Sequence, residues 1–359
     1  MRAAVLRDGD LHVADDVPEP VPGPGQVLAA PLATGICGSD LSAARHTEDF
    51  LKASRDSGTE SFLFDPDADL VLGHELCARV LSPGEWQGRA VVGLPWAVDA
   101  GGTMRTIGYA TDFPGGFGER VVLSEAALIP VPDHVPPHVA ALTEPLAVGY
   151  GNVARADPGP GSGAVVIGSG PIGLGALAAL VERGVAPVVV SEPSPRRREL
   201  AGHFGAHVVV DPTTTDPFDA WREASRKGQQ LKVLECSGRA GMLNEILHRA
   251  PRETHVLLIG ACMTEDVFRP VVGLYKDITV TMCMAYPPKE FARTLDRIAD
   301  GTVDAAALIT GEVGLAGVPT ALATLYAPDD HVKVLVRPEL PGTGLHGTRP
   351  ARTRPIRMP

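Results

Sequence analysis

One stretch constrains this chain more than any other: an apolar run at residues 164–167 that feeds directly into Gly168-Ser169-Gly170-Pro171-Ile172-Gly173. The run reads as a buried strand, and a helical pattern follows from Leu174. Each glycine of this G-x-G-x-x-G has a physical role. Gly168 allows a tight turn, Gly170 lets the backbone approach a pyrophosphate, and Gly173 lets helix and strand pack closely. The helix N-terminus, with Pro171 and Ile172 beside it, offers free N–H groups and a positive dipole end to phosphate oxygens. A second apolar run at 188–191 ends at Glu192, near the ~20-residue offset at which the fingerprint places an acceptor for ribose hydroxyls. Glycine-rich turns alone are common. Strand, turn, helix, strand and acid in this order predict a dinucleotide-binding unit.

Further strand candidates at 208–210, 232–235, 255–259 and 278–282 continue the pattern, each separated from the next by a helical or loop segment. Mostly apolar strands in such an alternation predict a doubly wound parallel sheet of roughly six strands, covered on both faces. Upstream the pattern differs. Residues 13–25 are too proline-rich for a helix or a central strand, and short strand-like runs continue to about residue 130. Residues 47–70 carry seven acids and three phenylalanines, Phe50, Phe62 and Phe64, with little periodicity. They suit either a lid over a substrate cleft or an acidic surface loop whose aromatics patch the core.

A length of 359 residues suits about two domains. The net charge of −11 argues against nucleic acid or an anionic membrane as the main partner. No apolar run is long enough to span a bilayer, and the N-terminus lacks a signal-peptide core, so the expected location is the cytoplasm. Five widely spaced cysteines, Cys37, Cys77, Cys236, Cys262 and Cys283, do not suggest a disulfide framework, and most are expected as reduced core residues.

A second constellation comprises Cys37, His74, Glu75 and Glu144. Thiolate, imidazole and carboxylate are the usual zinc donors, and a catalytic site keeps three of them plus an open position. Taken by spacing alone, the residues read instead as a buried thiol, a satisfied core histidine and solvated glutamates. Their motifs add what spacing lacks. Gly35-Ile36-Cys37-Gly38-Ser39-Asp40, Gly73-His74-Glu75, Gly115-Gly116-Phe117-Gly118-Glu119, Thr143-Glu144-Pro145-Leu146, the glycine fingerprint and Glu235-Cys236-Ser237-Gly238 occur in this order. On these motifs the chain resembles the medium-chain dehydrogenase/reductase superfamily, specifically zinc-dependent alcohol dehydrogenases of the sorbitol/threonine dehydrogenase type.

The resemblance implies an α/β fold: a Rossmann domain at 151–287 plus a β-rich, GroES-like catalytic domain built from 1–150 and 288–338. Residues 339–359, basic and without an apolar period, are expected as a disordered tail. It assigns Cys37 and His74 as fixed ligands of a catalytic zinc. Glu75 is a direct ligand or the ligands' neighbour, and Glu144 a carboxylate that coordinates the metal or its water. Ser39 is the hydroxyl that accepts the substrate proton. The implied activity is reversible hydride transfer between a primary or secondary alcohol and NAD, by a homodimer or homotetramer.

Two departures from the family pattern stand out. Ser42 occupies a position where many relatives have a histidine, and residues 99–112 contain no cysteine, so one zinc per subunit is expected, without a structural zinc. Glu192 favours NAD over NADP, although Arg196, Arg197 and Arg198 follow it and could hold a 2′-phosphate. Leu94, Trp96 and Phe117 are expected to shape a pocket for a partly apolar substrate. A zinc-free, NADPH-dependent reductase of the same superfamily and a non-catalytic nucleotide-binding protein are the competing readings.

Overall fold

A computed structural model of the chain describes residues 1–326 and 331–345. The chain divides into two compact units. One comprises Met1–Glu144 and the segment that starts at Leu295; the other is Pro145–Thr294. Both divisions fall inside helices, Thr143–Ala156 and Pro288–Ala299, some six or seven residues from the expected boundaries at 150/151 and 287/288.

The second unit holds a six-stranded, all-parallel sheet. Its order across the sheet is Val208–Val210, Val188–Ser191, Ser162–Ile167, Gln230–Glu235, His255–Leu258 and Thr279–Met282. Helices follow most of the strands, and the central strands are buried on both faces, which is why they read as unbroken apolar runs. The order reverses direction at Ser162–Ile167, whose C-terminal residue Ile167 lies opposite both Ser191 and Glu235. Doubly wound sheets bind ligands at such a switch point, beyond the carboxyl ends of the strands.

The first unit is built on a seven-stranded, mostly antiparallel sheet. Its centre is the long strand Gln26–Gly35, which pairs with Glu75–Val80, Val121–Ser124 and the late strand Lys333–Val336. The register is decisive for the site. Gly35 lies opposite Glu75 on one side and Leu335 on the other, so the ends of three strands far apart in sequence converge. Val27, Ala29, Leu76, Ala78, Val91 and Val121 form the core beneath.

Three expectations need correction here. Residues 47–70 are not loop-like: Thr47–Ser57 is a helix that buries Phe50, Leu51 and Ser54, closed by Gly58 at φ 68°. Its neighbours Glu48, Asp49, Lys52 and Asp56 dilute that apolar face, which hid the helix. Only Cys77 of the five free cysteines is fully buried, and burial pushes its thiol up to about 12. Residues 339–345 do not begin a disordered tail, because Leu345 lies over Gly311 and Leu340 beside Gly314, where no Cβ would fit. The rest of the expected tail, 346–359, lies outside the described residues. No helix among the described residues is long and apolar enough to cross a membrane.

Candidate metal centre and dinucleotide site

The candidate metal centre lies at the convergent strand ends. Cys37 follows Gln26–Gly35 by two residues and caps the helix Gly38–Arg45, where the Asp40 carboxylate folds back to accept the Cys37 N–H at 2.8 Å. His74 immediately precedes the strand Glu75–Val80. The turn that delivers it needs glycine: Gly73 has φ +99°, and a Cβ there would meet the Phe117 ring at 2.6 Å. Phe117 is fully buried beneath this turn, which contradicts its expected place in a substrate pocket.

Ligand atoms of Cys37, His74 and Glu75 all lie within 4.8 Å of one another. Donors on a tetrahedral zinc, at metal distances of about 2.0–2.3 Å, sit some 3–4 Å apart, so small side-chain adjustments would close this set on an ion. The Nδ1 atom of His74 is buried without a hydrogen-bond partner, 3.6 Å from Asp40 Oδ1. Burial works to lower the His74 pKa, but the adjacent Cys37 and Asp40 outweigh it and hold the imidazole well above its usual value. A site that gathers negative charge around a histidine in this way suits a divalent cation. The residues fit zinc. Glu144, the fourth expected donor, is buried in the first turn of Thr143–Ala156 and stands outside the three-residue cluster.

Lys333 belongs to this site although no sequence motif marks it. Its Nζ donates to both carboxylate oxygens of Glu75, at 2.6 and 2.9 Å, and to the Ile36 carbonyl at 2.8 Å. Lys333 is 3% exposed and Glu75 1%. Burial opposes the ammonium charge, yet Glu75, Cys37 and Asp40 together raise the Lys333 pKa, so it stays cationic. Gly35 makes room for the pair, since a Cβ there would sit 2.0 Å from Glu75 Oε2. The one available signal is a lysine inside the apolar strand Lys333–Val336.

Asp40 and Tyr109 are further neighbours to which the sequence alone assigns no role; both are buried. Burial and the Asp40 charge push the Tyr109 phenol well above its usual value, so it keeps its proton. Ser39 sits half-buried in the first turn of Gly38–Arg45, while the Ser42 hydroxyl is turned back onto the Gly38 carbonyl at 3.1 Å. In place of a cysteine-rich lobe, Trp96–Val98 and Met104–Thr106 form a hairpin. Asp99 closes its turn by accepting from Gly101 N, Thr103 N and Arg105 Nε. Leu94 and Trp96 are half-buried at its base.

In the other unit, the glycine fingerprint opens the helix Pro171–Glu182 with Gly170 as its N-cap. Gly168 turns at φ +88°; a Cβ on Gly173 would lie 1.9 Å from the Gly168 carbonyl oxygen, whereas one on Gly170 would meet nothing within 4 Å. The first and third glycines are thus required by the fold, and the second leaves open space where a pyrophosphate could approach. A cleft of about 900 Å³ lies here, lined by Gly168, Gly170, Glu192, Arg197 and Thr213 among others. The Glu192 carboxylate is buried and pinned by N–H donors, Ser169 N at 2.8 Å and Ser194 N at 2.9 Å. Arg198 is paired with Asp211 at 3.1 Å, while Arg197, Arg239 and Arg249 line the cleft.

Breaking the buried pair tests its weight. Lys333→Met would strand the Glu75 carboxylate, and such losses cost about 3–5 kcal/mol. Urea unfolding of the metal-free protein should show a loss of this size, partly recovered when Glu75→Gln is added. A loss below about 1 kcal/mol, the range of an exposed pair, would contradict the assignment.

Comparison with known proteins agrees with this geometry. Residues 23–133 match the alcohol dehydrogenase GroES-like domain family, and residues 171–300 match the zinc-binding dehydrogenase family. A probable diacetyl reductase, (R)-acetoin forming, of Saccharomyces cerevisiae is 30% identical over 94% of this chain and 90% of its own length. The crystal structure of 2R,3R-butanediol dehydrogenase from Bacillus subtilis superposes with a TM-score of 0.78 at 26% identity, covering 94% of this chain and 99% of that one. A putative zinc-binding dehydrogenase from Sinorhizobium meliloti, bound to NADP, gives a TM-score of 0.76 at 25% identity, covering 94% and 99%. The chain belongs to the medium-chain dehydrogenase/reductase superfamily, among its zinc-type alcohol dehydrogenases.

Proposed function

We propose that this oxidoreductase is a zinc-dependent, NAD-linked dehydrogenase that interconverts a small, partly apolar primary or secondary alcohol and its carbonyl. The observation that carries the reading is the Cys37, His74 and Glu75 cluster, with the Ser39 hydroxyl two residues from one of its members. Cys37 and His74 would hold the ion, with Glu75 or Glu144 as the third donor. Zinc bound there supplies Lewis acidity, which lets an alcohol hydroxyl give up its proton near neutral pH. Ser39, two residues from Cys37, is the proposed acceptor of that proton, handing its own hydrogen on to its hydrogen-bond partner as the proton arrives.

The Lys333 ammonium has a defined part in this reading. By occupying both Glu75 oxygens it limits the negative charge offered to the ion, which favours a dication that remains electrophilic. Glu75, with both oxygens already held by Lys333, would be a restrained donor that exchanges with water less readily. The partly apolar substrate class rests on the half-buried Leu94 and Trp96 and on the carbon-rich, small substrates named for the yeast and Bacillus relatives.

NAD is the proposed cofactor because Glu192 presents a pinned, buried carboxylate where a 2′-phosphate would have to enter. Arg197 in the same cleft, and NADP in the Sinorhizobium relative, favour NADP as the second reading. A homodimer is proposed from the terminal strand Thr279–Met282, an open sheet edge beside exposed Leu274, Tyr275, Met282 and Met284. Light scattering that found only monomer would remove that part.

The test is elemental analysis of protein purified without chelator, with an assay on 2,3-butanediol. About one zinc per chain is expected, lost in Cys37→Ala, with oxidation faster on NAD than on NADP. Two zinc ions per chain would mean a structural site has been overlooked. No metal and no turnover, with dinucleotide still bound, would overturn the dehydrogenase reading.

A further inference from the structure

Tyr109 has its ring fixed on three sides. It stacks on Phe50 with centroids 5.4 Å apart and planes 20° from parallel, takes the Phe62 ring at 5.6 Å and 64°, and leans on His74 at 5.3 Å. The hairpin leading into it is anchored to the same aromatic segment: Arg105 Nη1 donates to the Glu60 carbonyl at 3.0 Å, and Ser61 Oγ to the Met104 carbonyl at 3.1 Å. Tyr109 N then closes the turn on the Thr106 carbonyl at 3.0 Å. With ring and backbone held, the phenol oxygen has one place to be. It lies 2.8 Å from Ser39 Oγ and 2.9 Å from Asp40 Oδ1.

The direction of these two bonds follows from counting hydrogens. A phenol carries one, and a carboxylate only accepts. Asp40 takes the Cys37 N–H on its other oxygen, so Oδ1 is the oxygen left for Tyr109. The Tyr109 O–H therefore donates to Asp40, and its oxygen is left to accept the O–H of Ser39. That commits the only hydrogen on Ser39 to the phenol oxygen and leaves its lone pairs for an incoming donor. A serine hydroxyl otherwise turns among three staggered rotamers. Ser42 does not compete, because its own hydroxyl is bonded to the Gly38 carbonyl.

We propose that Tyr109 is a positioning residue whose hydroxyl, braced by Asp40, fixes both the rotamer and the hydrogen-bond polarity of Ser39, so that Ser39 meets a substrate hydroxyl as an acceptor. This rests on the dehydrogenase reading above and assigns to it a residue outside the ligand motifs. The aromatic segment gains a purpose as well, since Phe50 and Phe62 hold the tyrosine that aims the serine.

Tyr109→Phe keeps the ring stack and removes only the phenol oxygen. High-resolution crystal structures of the zinc-loaded wild type and variant provide a readout independent of turnover. Ser39 should occupy one rotamer in the wild type and spread over several in the variant; a single, unmoved Ser39 rotamer in both would overturn the proposal. With 2,3-butanediol and NAD, kcat should fall roughly 10-fold or more while zinc content and NADH binding stay unchanged, short of the roughly 100-fold or greater loss expected when the proton acceptor itself is removed. The Ser39→Ala/Tyr109→Phe double variant should be no slower than Ser39→Ala alone. Losses that multiply, an unchanged kcat, or loss of zinc from Tyr109→Phe would each contradict positioning through Ser39. If the wild type oxidises no alcohol, the dehydrogenase reading fails, and the rotamer comparison still decides the place of Tyr109.

Discussion

The buried pair between Lys333 and Glu75 is the interaction on which the rest of the candidate metal centre depends. Two opposite charges, both nearly inaccessible, are joined by two contacts of 2.6 and 2.9 Å, with the Ile36 carbonyl as a third acceptor. Charges in such surroundings persist only when paired and hydrogen-bonded, and removing one partner costs far more than the pair itself contributes. Its value here is therefore geometric. It ties the strand carrying Lys333, the strand opened by His74 and Glu75, and the segment that ends in Cys37 into one fixed end of a sheet.

That constraint also explains the order of the chain. The strand Lys333–Val336 pairs with Gln26–Gly35, so the first unit is completed only when the late part of the chain returns to it. The dinucleotide unit is formed by the intervening residues and has its own sheet, with its ligand cleft at the reversal of strand order. Each unit thus places its chemistry at strand ends, where the backbone leaves the sheet and side chains or N–H groups become available.

Much of this is legible in the sequence, and what is not has physical reasons. The six parallel strands can be read to within one or two residues because burial on both faces demands continuous apolar runs. Cys37, His74 and Glu75 stand in short motifs, and the structure gathers those three. Lys333 is hidden by a separation of 258 residues from Glu75, a pairing that no local pattern encodes. Tyr109 is hidden because its part depends on a stack with Phe50 and Phe62, and Phe50 lies on a helix whose polar neighbours mask its apolar face. Phe117 looks like pocket lining by composition, yet the left-handed turn at Gly73 needs it as a floor.

X-ray absorption at the zinc edge of the loaded protein tests the central claim most directly, because it reports the donors themselves. The account predicts one sulfur neighbour at about 2.3 Å, from Cys37, and nitrogen or oxygen neighbours at about 2.0–2.2 Å from His74, a glutamate and water. A shell with two or more sulfurs, or with none, would contradict a metal centre built on Cys37 and His74.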